Sequence, residues 1–187
     1  MVDLVNAALA NPINRAILQR LPMLGLSDAW LVAGSVYQSY WNALAGRPVT
    51  EGIKDYDIFY FDDADLSYAA EDAAIQRARL VFADLDALID LKNQARVHLW
   101  YMDRFGIDCP PLASASEAIG RFPIRCTCVG LRPKSDGSLV LHAPYGLDEL
   151  SRGELVANMH CPDQSGVRAK AESYRKRWPW LTLASLA

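Results

Sequence analysis

A chain of 187 residues, 51% hydrophobic and 22% charged, is long enough to bury a core as one domain spanning residues 1–187 without disulfide staples. Its formal net charge of -3 excludes a general nucleic-acid coat protein, which relies on a strong basic excess, although "RAKAESYRKRW" near the end is locally basic. No apolar run approaches the ~20 residues a bilayer requires, so no membrane association is expected.

"MVDLVNAALANP" lacks a basic n-region and carries Asp3, which argues against a secretory signal and places the chain in the cytoplasm. The four cysteines fit neither a disulfide framework nor a zinc spacing, so no disulfide-linked partner is expected. Cys126 and Cys128 alternate in "IRCTCVG" and read as two small apolar side chains on one face of a strand, with a metal site as the alternative.

"NPINRAILQRL" predicts a helix capped by Asn11, with Pro12 in its first turn. "AWLVAGS" follows as a short buried strand ending in a tight Gly34-Ser35 turn, and "VYQSYWNALAG" as a helix stopped at Gly46. After the "RPVTEG" loop, "KDYDIFYF" has the residues of a strand. "DLSYAAEDAAIQRARLVFADLD" then predicts a helix capped by Ser67 or Asp65, with Ile75, Ala78, Phe82 and Leu85 on one face. "ALIDLKN" is a further strand, and "QARVHLWYMDRFG" a helix closed by Gly106. "FPIRCTCVGLR" and "SLVLHAPY" flank the hairpin signal "PKSDG", and "SGVRAKAESYRKRW" is a basic closing helix stopped near Pro179. The order gives an α/β or α+β domain.

Two acids stand inside the "KDYDIFYF" strand. Residues two apart in a strand share a face, so Asp55 and Asp57 lie side by side and repel when ionised. A divalent cation is the usual compensation, and Mg²⁺ prefers one or two carboxylates together with substrate phosphates. Asp90 in "LIDLK" repeats the pattern. If its strand pairs beside Asp55–Phe61, three carboxylates converge and can hold two metal ions ~3.5–4 Å apart, the arrangement of phosphoryl transfer. Gly34 and Ser35 open a helix, where backbone N–H groups and the helix dipole favour an anion. The bland alternative is a solvated strand end: "DDAD" shows acids tolerated nearby, and Asp62, Asp63 and Asp65 read as solvated or capping.

"LVAGS", "KDYDIFYF" and "LIDLK", in that order, resemble the signature of the polymerase-β-type nucleotidyltransferase superfamily. The longer stretches "GIKDYDIFYFD", "KNQARVHLWY", "APYGLDEL" and "KAESYRKRWPWL" are similar to a bacterial family of small nucleotidyltransferases, over Trp30 to Leu181. This resemblance implies a mixed β-sheet core flanked by helices, with a C-terminal hairpin and closing helix. It also implies transfer of a nucleoside monophosphate from an NTP to an acceptor, with release of pyrophosphate and Mg²⁺ or Mn²⁺ as cofactor. By the resemblance, Gly34 and Ser35 bind the triphosphate, Asp55 and Asp57 coordinate both metals, and Asp90 coordinates the catalytic metal and helps deprotonate the acceptor. The acceptor stays open among a small molecule, an RNA end and a protein. The gap from Ser35 to Asp55 is long for the superfamily, which leaves the role of "GRPVTEGIK" open. The alternative function is a catalytically inactive nucleotide-binding or protein-interaction module on the same fold.

Lys92 shares a face with Asp90 and either neutralises the triphosphate or pairs with an acid. Arg96 and Trp100, one helical turn apart, suit packing of a guanidinium on an indole; the resemblance adds a nucleotide contact for Arg96, while His98 reads as structural. His142 and Tyr145 read as core packing, with a base or acceptor contact as the alternative. Arg175, Lys176 and Arg177 read as a solvated face anchored by Trp178 and Trp180, with RNA contact as the alternative.

Overall fold

A polar corner begins the fold. In the computed structural model, which describes residues 2–184, Asn11 separates α1 (Leu4–Ala10) from α2 (Pro12–Arg20). The Asn11 side chain accepts from the Ile13 and Asn14 N–H groups, and Pro12 sits where no N–H is needed. Helix α1, which the sequence reading did not include, is capped by Asp3 and buries Leu4, Ala7 and Ala8.

Five strands form the central sheet: β1 (Trp30–Val32), β2 (Asp55–Tyr60), β3 (Leu88–Asn93), β4 (Gly130–Pro133) and β5 (Leu139–His142), in spatial order β3-β2-β1-β4-β5. Helix α3 (Gly34–Leu44) leaves β1, and α4 (Tyr68–Val81) makes the crossover that lets β2 and β3 run parallel. The other pairings are antiparallel. The sheet is therefore mixed and helix-flanked, as expected. Ser67 is the cap of α4; its side chain accepts from the Ala70 N–H, and Ala78 and Phe82 are buried. The β4–β5 hairpin closes with the Lys134 N–H donating to the Ser138 carbonyl at 2.7 Å, and Gly137 takes φ +81°.

Two segments depart from the periodicity. "QARVHLWYMDRFG" is not one helix: a 3-10 stretch over Gln94–Leu99 gives way at Trp100 to the short α5 (Tyr101–Phe105), which Gly106 does close. Tertiary bonds decide this. Asn93 accepts from both Ala95 and Asp62, and Arg96 is tied to Glu71 and to the Leu66 carbonyl, so the segment starts at a fixed angle to the sheet. "FPIRCTCVGLR" is likewise not a single strand. Arg125 donates its N–H to Val156, and the Thr127 hydroxyl bonds back to the Ile124 carbonyl at 2.7 Å, which winds Arg125–Thr127 into a 3-10 turn; the strand starts only at Gly130. Cys126 and Cys128 are nonetheless core residues, and all four cysteines are free and buried.

Short helices α6 (Ala115–Ile119) and α7 (Asp148–Arg152) complete the flanks, and β6 (Glu154–Leu155) pairs in parallel with β7 (Thr182–Leu183). Between these last two strands lies the basic helix α8 (Val167–Arg177). The buried Trp178 docks it: the indole packs 5.2 Å from Trp41 and donates to Asn42 at 3.0 Å. Among the described residues no helix is long and apolar enough to cross a membrane.

Candidate active site

Strand β1 is buried at every residue, so its end delivers the chain directly from the core into a turn. Ala33 takes φ 57° and ψ -129°, a conformation costing a non-glycine residue about 1–3 kcal/mol. Gly34 then opens α3. A Cβ at Gly34 would meet Gln38 Nε2 at 2.7 Å, so glycine lets that amide lie against the turn. Behind it, the Ser35 carbonyl accepts from the Ser39 hydroxyl at 2.7 Å and from Asn14 Nδ2 at 2.9 Å. The Ser35 hydroxyl itself is fully buried and has no partner. An unpaired buried hydroxyl costs about 1–3 kcal/mol, and it stands here in the first turn of α3, where the Val36 and Tyr37 N–H groups already bond to the Ala33 carbonyl.

The alternation of β2 sorts its residues cleanly. Tyr56, Ile58 and Tyr60 face the core, while Asp55, Asp57 and Phe59 form the more open face. Register places Asp57 directly opposite Asp90, and Phe59 opposite Lys92, on the parallel neighbour β3. Directly paired residues share a face, so the two carboxylates emerge side by side. Asp55 lies one pleat away, opposite Leu88, and is exposed. Asp57 is pushed up to about 6: burial is the main cause, the Asp55 and Asp90 charges add to it, and Lys92 and Lys170 pull it back. Lys92 Nζ donates to Asp90 at 2.5 Å. Among the described residues, no three His, Cys, Asp or Glu side chains are grouped closely enough to hold a metal ion as they stand.

A cavity of about 510 Å³ opens beside Asp57, Phe59 and Lys92; Gly34, Ser35, Asp55 and Asp90 border it without lining it. One end is bounded by Ala33, Tyr37, Asp57, Lys92 and Lys170, and the other runs into an aromatic pouch. Lys170 and Tyr174 reach it from α8, and the Tyr174 and Tyr37 hydroxyls share a hydrogen bond of 2.6 Å; burial pushes the Tyr37 hydroxyl up to about 12. The sequence reading did not single out Lys170, Tyr37 or Tyr174. One signal was available: Lys170, Tyr174 and Trp178 recur every four residues, which sets a lone cation in line with two buried aromatics.

The structure thus brings Asp57, Asp90 and Lys92 together, with Asp55 alongside and the Gly34-Ser35 turn on the adjoining strand. Arg96 is elsewhere. Its guanidinium pairs with Glu71, donates to the Leu66 carbonyl and lies over Tyr68 instead of Trp100; it does not line the cavity. Trp100 carries Arg104 instead. His142 packs 5.7 Å from Trp30, and the Tyr145 hydroxyl is held by Gly120 and Asn158. On the basic helix, Arg177 is folded onto Trp178 at 4.4 Å and donates to Gln38 at 2.8 Å.

A mixed sheet whose central strand turns through Gly-Ser into a helix, with aspartates on the next two strands, is the polymerase-β-type nucleotidyltransferase fold. The chain belongs to the nucleotidyltransferase family, whose profile, described as "Nucleotidyltransferase", matches residues 19–183. No curated protein sequence matches it. A solved structure described as "The NMR structure of the protein reveals a CCA-adding enzyme head domain" is 26% identical with a TM-score of 0.75; the match covers 97% of this chain and 94% of that one. A second, described as "tRNA-processing enzyme (apo form I)", is 14% identical with a TM-score of 0.53, covering 100% of this chain and 45% of that one, and is a likeness of fold.

Proposed function

We propose that the protein transfers a nucleoside monophosphate from an NTP to an acceptor hydroxyl or phosphate, releasing pyrophosphate, with Mg²⁺ or Mn²⁺ held by Asp55, Asp57 and Asp90. The observation that carries this is the register of Asp57 against Asp90, on the strands beside the buried, unpartnered Ser35 hydroxyl. The donor set is carboxylate oxygen throughout, the chemistry of a hard divalent cation, and such a charge would offset both the burial that mainly raises Asp57 and the Asp55 and Asp90 charges that add to it. Bound there, the cation supplies positive charge against the phosphate oxygens.

The remaining work falls to the chain. The Gly34 and Ser35 N–H groups and the Ser35 hydroxyl bind the triphosphate tail, with Lys170 adding charge from α8. The acceptor oxygen bonds to the α-phosphorus as the bond to the bridging oxygen breaks. The electron pair leaves with pyrophosphate, and the acceptor proton passes to the Asp90 carboxylate, which Lys92 orients. Four buried free cysteines accord with a cytoplasmic setting.

One observation favours a second reading, a nucleotide-binding module without turnover: the Asp90 carboxylate is turned to Lys92. Thermal stability with Mg²⁺ or Mn²⁺ and each NTP in turn, for wild type and Asp55→Asn/Asp57→Asn, tests both. A ligand at ~100 times its Kd adds about 2.7 kcal/mol to the folded state. A metal-dependent NTP shift present in wild type and lost in the variant supports the site, and pyrophosphate release separates enzyme from module. Absence of any shift rejects both.

A further inference from the structure

We infer that the acceptor is a small molecule with a flat apolar body, seated in the aromatic pouch beside Asp57; the inference rests on the nucleotidyl-transfer reading. Strand alternation makes the connection. Phe59 follows Asp57 on the same face of β2, so the floor of the pouch begins one pleat beyond the reacting carboxylates. Trp100, Tyr101 and Phe105 form one wall, with Tyr101 and Phe105 4.7 Å apart, and Phe122 stands edge-on to Phe59 at 5.7 Å. The apolar cluster of Val97, Cys109, Leu112 and Ala118 packs against Phe59, Trp100 and Tyr101. A molecule lying on Phe59 therefore has Asp57 as its nearest polar neighbour on the strand, which sets a hydroxyl at its edge next to the acids.

The pouch reads shape more than base edges. Several of its polar groups are engaged: the Thr127 hydroxyl donates to the Ile124 carbonyl, Gln94 to the Lys92 carbonyl, and Arg121 pairs with Glu117, while Lys170 stands at the opposite, phosphate end. A site that discriminates a nucleobase converges several free polar groups on the base edge, whereas the walls here are mostly aromatic and aliphatic. An RNA strand needs a track of free cations for its phosphates. Of the cations lining the cavity, Lys92 is held by Asp90 and Arg121 by Glu117, which leaves Lys170; on α8, Arg177 is folded onto Trp178 and Arg175 contacts Glu172 and the Leu181 carbonyl. A small acceptor is the better fit, although one similar structure is described as a CCA-adding enzyme head domain.

The test uses 2-naphthol as probe, titrated into the full chain with and without Mg²⁺ and whichever NTP raises its melting temperature. Expected are binding that quenches tryptophan fluorescence, a stabilisation that adds to that of the nucleotide, and about a tenfold weaker naphthol affinity in Trp100→Ala with the nucleotide shift kept. Phe105→Ala, at a half-exposed position with little bearing on folding, should weaken the probe in the same direction. Displacement of the nucleotide by naphthol would make the pouch a base site and overturn the inference. So would failure of naphthol to bind, or Trp100-dependent binding of a single-stranded RNA with a free 3′ hydroxyl. An absent nucleotide shift in wild type sinks the underlying reading, whereas an intact shift without naphthol binding sinks the inference alone.

Discussion

Replacing Asp57 with Asn tests the electrostatics of the site while leaving its shape unchanged. Asp57 is pushed up to about 6 from the usual aspartate value of 3.8, by burial first and then by Asp55 and Asp90. A carboxyl whose pKa is higher in the folded state holds its proton more tightly there. Its contribution to stability is complete below about pH 4 and is lost as pH rises through about 6. A displacement of about two pH units, at ~1.36 kcal/mol each, costs the folded protein about 3 kcal/mol at neutral pH, less whatever water reaches the partly open carboxylate. Asparagine cannot ionise. Asp57→Asn should therefore stabilise the ligand-free protein at pH 8 by about 1.5–3 kcal/mol, a rise of roughly 3–10 °C in melting temperature, and give almost no gain at pH 4. Urea denaturation at both pH values, at fixed ionic strength with EDTA present, measures it. Adding Mg²⁺ and NTP should reverse the order, because only wild type gains from them. An equal gain at pH 4 and pH 8, or none at pH 8, refutes the upward shift of Asp57.

Other substitutions separate binding from scaffolding. Ser35→Ala removes a buried hydroxyl without a partner, so ligand-free stability should rise by about 1–3 kcal/mol while NTP affinity falls about tenfold by titration. Ala33→Gly relieves a positive φ at the cost of a floppier unfolded chain; the net gain should be about 1 kcal/mol by urea denaturation, and a net loss would mean that the methyl group packs usefully. Arg96→Met leaves Glu71 unpaired in a largely buried setting and should cost about 3–5 kcal/mol, with the nucleotide-induced shift intact. If Arg96→Met were stable and lost that shift, Arg96 would return to the nucleotide site.

The parts of the fold that could be read in the sequence are those whose cause is local. Asn11 with Pro12, Ser67 and Gly106 act within one turn of their own backbone, and each does what its type predicts. The shared face of Asp55 and Asp57 follows from the period of two, whatever else the chain does. Asp90 is legible as an acid inside an apolar strand and as the third acid that the resemblance implies, but its position against Asp57 depends on a strand pairing that the α4 crossover makes possible. What resisted reading was set from a distance. Gln94–Phe105 has helical periodicity, yet Asn93, Arg96 and their partners on the β2–α4 side break it in two. The same holds for Lys170, whose place is determined by the docking of Trp178 on Trp41 more than 130 positions away in the chain.

The N-terminal helices show how such distant contacts bear on the site. Asn14 donates to the Ser35 carbonyl, and Asn11 donates to Ser39 on α3 and to the Tyr56 hydroxyl on β2. Tyr56 lies between Asp55 and Asp57 and points to the opposite, core side of the strand. One buried corner therefore touches the Gly34-Ser35 turn from beneath and the acid strand from behind. Neither asparagine is exposed, so losing either partner would leave polar atoms stranded in the core, and the corner holds with a stiffness that surface bonds lack. Phosphoryl transfer asks its catalyst for little covalent chemistry and for close positioning of charge. The corner that fixes the turn against the strand is thus as much a part of the proposed chemistry as the carboxylates it holds in place.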